Sequence, residues 1–407
     1  MKSVGKRLGE YGLYLFAVSI PVSFVPAEWG IALAGVGWFL QGLPERSWPV
    51  RWHPFLAVLL FYAGWNILAA LISERPVGSL LAVGDNEWPA VLMLLMFWLV
   101  GEERILKRLV VLFLGSSSLA MVYGIWQTFG GVEFYRGMNL TPFGEFYRNV
   151  GFYGFYLTFA AFAMTVFFLA VGIAVHARNK NARRATLLVA VLSALAIIGS
   201  FARSIWVGMV MVGPFVGFFK SKKAGLVSIA VTVLLATGAV VLSPEIRQRA
   251  ESIIDPRQNE TRLNLWKTSL AIAKENPLFG VGEDNFVYVF DRYKVEGYYD
   301  TMVHPHNDYL DALVSSGIPG LLAFVALWTI ALRSGYRLAT GSGSAFVRGI
   351  SMGATLGLTG LLVGSFFQNY YGTFANCLGW WFLVGLLFAG VRLEETAHAS
   401  DASTDSS

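Results

Sequence analysis

The chain has 407 residues, 55% of them hydrophobic and only 14% charged, with a formal net charge of +5. Soluble domains carry about 25% charged residues, so this composition excludes an ordinary water-soluble fold and points to lipid as the solvent. A single cysteine, Cys377, excludes an intrachain disulfide framework and any cysteine-rich metal site.

The first 25 residues join a basic start to an apolar run, as a signal peptide does. No small-x-small cleavage site follows them and many similar runs do, so they read as a first span. Segments able to cross about 30 Å of hydrocarbon are predicted at 9–26, 28–43, 53–72, 88–101, 106–129, 149–176, 184–200, 203–220, 225–243, 318–335, 346–367 and 371–392. Gly353, Gly357, Gly360 and Gly364 suit close helix crossings in lipid. The basic residues alternate with these spans: 19 of the 31 fall in the termini and in every second connection, which the positive-inside rule places in the cytoplasm.

The expected fold class is therefore an all-α polytopic membrane protein of about twelve transmembrane helices, both termini cytoplasmic, with one large outward loop. Residues 1–243 would hold nine helices, 244–317 an outward domain with amphipathic helices, 318–393 three more helices, and 394–407 a disordered tail. Within the loop, TRLNLWKTSLAIAK has Leu263, Trp266, Leu270 and Ala273 at helical spacing, and Asn276-Pro277 stops it. Asn307 or Asp308 is placed to cap a short helix ending at a left-handed Gly317.

Polar chemistry gathers at the outward edge. In VHPHNDYLDALVSSGIPG (303–320), His306 can take a proton near neutral pH. His304, Asn307 and Asp308 beside it are candidate substrate-binding groups, and Asp308 or Asp311 could orient the imidazole. Catalysis, a structural tether and metal ligation all remain open there, although the H-x-H spacing matches no strong zinc signature. Arg203 lies in the short GSFARS connection, where an arginine either snorkels to headgroups or faces a functional cavity. Arg262, near the start of the amphipathic helix, either pairs with Glu260 or faces an anion with the free helix N–H groups. Arg136 and Arg148, in the other polar outer loop, could join such a patch, and each alone also reads as a solvated surface residue. Trp266 and Tyr288, Tyr293, Tyr298 and Tyr299 could stack on sugars or anchor the interface. Guanidinium forks suit phosphate oxygens. No P-loop, dinucleotide fingerprint or serine elbow is present, so nucleotide-driven chemistry is not expected.

Three segments carry a resemblance to the O-antigen ligase and polymerase family of bacterial envelope membrane proteins. HNDYLDALVSSGIPG places His306 at the family histidine, RLNLWKTSLAIAKENPLFGVGEDNF places Arg262 at a family arginine, and IIGSFARSIWVGM places Arg203 at another. In the last, Ala202 stands where the family often has serine. The resemblance implies a GT-C-type glycosyltransferase of the bacterial inner membrane with its site on the periplasmic side. It further implies inverting, metal-independent transfer of a glycan from undecaprenyl pyrophosphate to lipid A-core, with catalytic His306, Arg262 and Arg203, no cofactor and no nucleic-acid partner. The polymerase branch, which joins lipid-linked repeat units, is the alternative within the family. A transporter or flippase of an anionic lipid is the alternative outside it, and a scaffold role is the third reading.

Overall fold

The computed structural model describes residues 1–299 and 304–404, with side chains to residue 397. Val303 of the histidine motif and residues 405–407 of the tail lie outside the described residues.

The chain is helical almost throughout. Helices α1 (Lys2–Ser19) and α2 (Phe24–Gly42) pack together as a pair, followed by α3 (Pro54–Ile72), α4 (Pro76–Glu87), α5 (Ala90–Leu99) and α6 (Glu103–Gly130). Two small antiparallel hairpins come next, β1 (Val132–Glu133) with β2 (Met138–Asn139), and β3 (Pro142–Phe143) with β4 (Phe146–Tyr147). Then follow α7 (Tyr156–His176), α8 (Lys180–Ser200), α9 (Arg203–Val212), α10 (Phe215–Phe218) and α11 (Lys222–Leu242). The outward segment holds α12 (Pro244–Ile254), a 3-10 turn over Pro256–Asn259, α13 (Glu260–Glu275) and α14 (Phe286–Tyr293). Three long helices finish the chain, α15 (Asp308–Thr340), α16 (Ala345–Gly364) and α17 (Phe374–Thr404).

Among the described residues, nine helices are long and apolar enough to cross a membrane: α3, α4 continued by α5, α6, α7, α8, α11, α15, α16 and α17. The other three predicted spans are also helical. However, α1 carries Lys2, Lys6, Arg7 and Glu10, α2 carries Glu28 and Gln41, and the apolar stretch Arg203–Phe218 is short. α7 lies at the centre of the bundle, 83% of its most apolar window buried, whereas 6% of the α11 window is. Exposed side chains such as Leu234 and Leu235 of α11 need lipid around them. Against α7, a Cβ on Gly353 of α16 would fall 2.5 Å from Leu169 Cα. Only glycine permits that approach, the close packing that holds helices together where lipid supplies no hydrophobic drive.

The two ends of the bundle differ. At one end Lys2–Glu45, Lys6–Glu102 and Arg51–Glu395 pair across connections. At the other, Arg292 pairs with Glu74 at 2.7 Å, and Asn86 donates to Glu283 at 2.8 Å, tying the 244–307 segment onto α3 and α4.

Four sequence expectations change. Residues 76–87 were not read as a span, yet they form α4, which continues α5 across Trp88-Pro89. The span expected at 318–335 belongs to a helix that begins at Asp308, with non-helical backbone only at Gly317 (φ 68°). That glycine has the expected positive φ, but its ψ of −169° is extended rather than that of a left-handed cap, and the helix resumes beyond it because Pro319 suits the first turn of a new helical segment. The spans expected to end at 367 and begin at 371 stop at Gly364 and restart at Phe374, so the three-residue connection becomes a loop of nine residues. Finally, α17 runs to Thr404, so most of the 394–407 segment expected to be disordered is helical.

Candidate active site

The site is best built from α12. Its sequence PEIRQRAESII begins with Pro244 at a position where a missing N–H costs nothing, capped by Ser243, whose hydroxyl accepts from Ile246 N at 3.2 Å. Asn259 ends the corner after it, its side-chain amide donating to the carbonyls of Ile253 (3.0 Å) and Asp255 (2.9 Å). This turns the chain sharply from α12 into α13, with α12 packed against α9.

Between them lies a cavity of about 260 Å³ whose wall includes Arg203, Ser204, Asn259, Arg262, Trp266 and Phe367. Arg203, first residue of α9, donates through Nη1 to Ser252 O and, at 3.3 Å, to Ser252 Oγ on α12. Arg249, one turn earlier on α12, donates from Nε to Phe201 O at 2.9 Å. That carbonyl is free to accept because α8 ends there on a left-handed residue, Phe201 (φ 54°). Arg148 follows β4, its guanidinium carbon 5.3 Å from the centroid of Phe143 and 4.9 Å from that of Tyr156. Arg249 covers the Phe143 ring too, at 5.7 Å. These aromatic faces offset part of the positive charge.

The four arginines sense one another. Burial lowers the Arg249 guanidinium from its usual value, and the charges of Arg148, Arg203 and Arg262 push it down further. Two unit charges about 8 Å apart at an effective dielectric of about 20 repel by about 2 kcal/mol, so gathering four demands compensation. Among the described residues none of the four has a carboxylate within ion-pair distance. The Arg262–Glu260 pair weighed from the sequence does not form; Glu260 instead accepts from Tyr298 N at 3.4 Å. Guanidinium groups gathered at a cavity without carboxylate partners have the chemistry to hold an anion.

His306 stands at the start of α15, partly buried, with left-handed backbone (φ 52°). Non-glycine residues rarely adopt that region, and it is held here from outside. His304 Nδ1 accepts from His306 N at 3.1 Å, and His306 Nδ1 meets Gln368 Oε1 at 2.9 Å. In the tautomer whose Nδ1–H donates to that amide oxygen, Nε2 is the basic nitrogen. The two imidazole centroids are 4.2 Å apart. Burial, then the charge of His306, pushes His304 down to about 4, so it is neutral at physiological pH.

Neither carboxylate considered as the partner of His306 has that role. Asp308 is 3% exposed; it accepts from Ser365 Oγ, from Tyr370 N at 3.0 Å and from Tyr371 N at 3.1 Å. Asp311 accepts from Asn369 Nδ2 at 2.7 Å. Asn307 caps α15, its Oδ1 accepting from Tyr309 N (2.9 Å) and Leu310 N (3.0 Å), while its amide donates to Phe366 O at 3.1 Å. Asn307, Asp308 and His304 thus shape the 365–373 loop and the histidine turn. Among the described residues no three His, Cys, Asp or Glu side chains are grouped to hold a metal ion.

His306 does not line the arginine cavity itself. The loop connects them: Phe367 is in the cavity wall, Gln368 holds His306, and Tyr370 hydroxyl meets Ser204 Oγ at 2.6 Å. Trp266 faces Phe367 with centroids 6.4 Å apart, and its Nε1 has no partner among the described residues. Arg136 is placed elsewhere, donating to Phe152 O at 2.8 Å and lying 4.0 Å from the fully buried Glu133. Of the tyrosines that could stack on sugars or anchor the interface, Tyr293 and Tyr299 pack against the loop domain, while Tyr288 and Tyr298 are exposed. Tyr293 donates to Glu275, Tyr299 to Val295 O, and Tyr288 lies under Arg75.

The sequence reading missed Arg249 and Gln368. Ile246, Arg249 and Ile253 at helical spacing mark one face of α12 and were a usable signal for the first; nothing local marks the second.

Residues 188–325 match a protein-family model described as O-antigen ligase. A protein of Haemophilus influenzae (strain Rd) described as uncharacterized is 23% identical over 337 residues, covering 77% of this chain and 80% of that protein. The matched family segment contains Arg203, Arg249, Arg262, His304 and His306, while Arg148 and the 365–373 loop lie outside it. The chain is a polytopic membrane protein whose central third is similar to the O-antigen ligase family.

Proposed function

We propose that this protein is an O-antigen ligase. It would transfer a glycan from undecaprenyl pyrophosphate to a sugar hydroxyl of lipid A-core, with inversion and without a metal, at the periplasmic face of the inner membrane. The reading takes twelve crossings with both termini in the cytoplasm, an arrangement in which the arginine cavity would face the periplasm. The observation that carries the reading is the cavity wall: Arg203 and Arg262, flanked by Arg148 and Arg249, without a carboxylate partner among the described residues.

In this reading the pyrophosphate sits against the guanidinium groups. The acceptor oxygen attacks the anomeric carbon from the face opposite the departing pyrophosphate, a C–O bond forms as the old one breaks, and the electron pair leaves on phosphate oxygen. The arginines stabilise that growing negative charge more than they stabilise the bound donor, which lowers the barrier. The pyrophosphate needs no proton to depart. The acceptor hydroxyl's proton passes to His306 Nε2, the tautomer being fixed by Gln368 at Nδ1. GT-C architecture is part of the same proposal.

The test is reconstitution of the purified protein with undecaprenyl-pyrophosphate glycan and either lipid A-core or a second lipid-linked unit. Glycosylated lipid A-core is expected, unchanged by a chelator. Extended lipid-linked glycan alone would assign the polymerase reaction instead, and movement of the donor across the bilayer without product would assign transport.

A further inference from the structure

A second cavity, of about 490 Å³, opens on the far side of the 365–373 loop and is lined by Glu28, Asp85, Asn86, Trp88, Gly372 and Phe374. Its chemistry is opposite to that of the arginine cavity. Among the described residues the carboxylates of Glu28 and Asp85 have no hydrogen-bond donor and no cationic partner. Asn86 gives its amide N–H to Glu283, which fixes the side chain at the rim. Trp88 and Phe374 stand with ring centroids 5.7 Å apart at 36°. Two unpaired carboxylates repel a phosphate, so this cavity is unsuited to the pyrophosphate. They accept hydrogen bonds from hydroxyl groups, and the indole and phenyl faces cover the C–H face of a sugar ring.

The loop fixes the distance between the cavities. Phe367 lines the first, Gln368 holds His306, and Gly372 and Phe374 line the second. From Gln368 to Gly372 the chain reaches at most about 14 Å, a span bridged by a short saccharide. Asn369 stiffens this stretch, accepting from Gly372 N at 2.8 Å while donating to Asp311. Asp308 takes the next two backbone N–H groups, of Tyr370 and Tyr371.

Resting on the ligase reading, we infer that the Glu28–Asp85–Trp88–Phe374 cavity binds a neutral sugar ring of the acceptor, so that donor and acceptor approach His306 from opposite flanks of one loop. Charge sorts them: the phosphorylated donor is drawn to the arginines and turned away by the carboxylates. Glu28, Asp85 and Trp88 set acceptor affinity and leave the transfer step to His306 and the arginines.

The test uses full-length protein in lipid nanodiscs with labelled undecaprenyl-pyrophosphate glycan and lipid A-core. The paired change Glu28→Gln with Asp85→Asn, and separately Trp88→Ala, should raise the acceptor KM at least tenfold while donor affinity and kcat stay near wild type. The carboxylates hold no other described residue in place, so the paired variant folds. An independent readout is Asp85→Cys, because the native Cys377 is buried. Lipid A-core should slow maleimide labelling there, and donor should not. Unchanged acceptor KM in both variants, or labelling slowed by donor alone or by neither, overturns the inference while leaving the arginine site intact. Failure of wild-type protein to bind donor would instead overturn the ligase reading beneath it.

Discussion

Nδ1 of His306 lies 2.9 Å from Oε1 of Gln368, sixty-two residues further along the chain. The amide ties the histidine turn before α15 to the loop before α17. His306→Ala should abolish transfer while donor binding survives. Gln368→Glu should keep the contact but stabilise the imidazolium, moving the acid limb of the kcat/KM profile to higher pH. A pH–rate profile of the purified variants checks this; an unmoved limb would remove Gln368 from the assignment.

Among the arginines, Arg262→Lys and Arg203→Lys should already cost at least tenfold in kcat/KM, because an ammonium lacks the fork. Arg249→Ala should lower kcat by roughly ten- to hundredfold. Arg136→Ala is the contrast: it leaves Glu133 buried without its nearest cation, so it should lower stability by about 1–3 kcal/mol and leave turnover of folded protein unchanged. Melting curves and single-turnover rates on the same preparations separate the two outcomes.

Asp308 accepts from Ser365, Tyr370 and Tyr371, so Asp308→Asn replaces one accepting oxygen by a donor that faces other donors. The expected result is a loss of about 3 kcal/mol or more, read as a lower Tm together with lost turnover. A direct substrate contact would weaken donor or acceptor binding at unchanged Tm.

His304 supplies a pH dependence of stability. Its folded pKa, about 4, lies below the unfolded value of 6.5, so between those limits the unfolded chain binds more protons. Stability is therefore complete above pH 6.5 and falls as pH drops toward 4, by an amount on the order of 3 kcal/mol. His304→Asn keeps an acceptor for His306 N but does not titrate. The difference in Tm between the two proteins should shrink steadily from pH 7 to 4; a constant difference would contradict the buried, neutral imidazole.

The sequence by itself determined the solvent and the helical class, and it singled out three groups of the candidate site. In a chain with 14% charged residues, an arginine or histidine at the edge of an apolar run stands out, because lipid tolerates it only where it is paired or facing water. Arg203, Arg262 and His306 were legible for that reason, as was the cap at Asn307. Only the tertiary structure decided that Asp308 braces a loop, that Arg136 belongs to a hairpin and that Arg249 belongs to the site. Most of the loop was hidden by its composition: Phe366 and Phe367 read as the end of one span and Tyr371 as the start of the next, leaving only 368–370 between them. Hydropathy averages over such residues, whereas the backbone N–H groups of Tyr370 and Tyr371 and the amides of Gln368 and Asn369 have partners about sixty residues away. A local pattern carries no record of those partners.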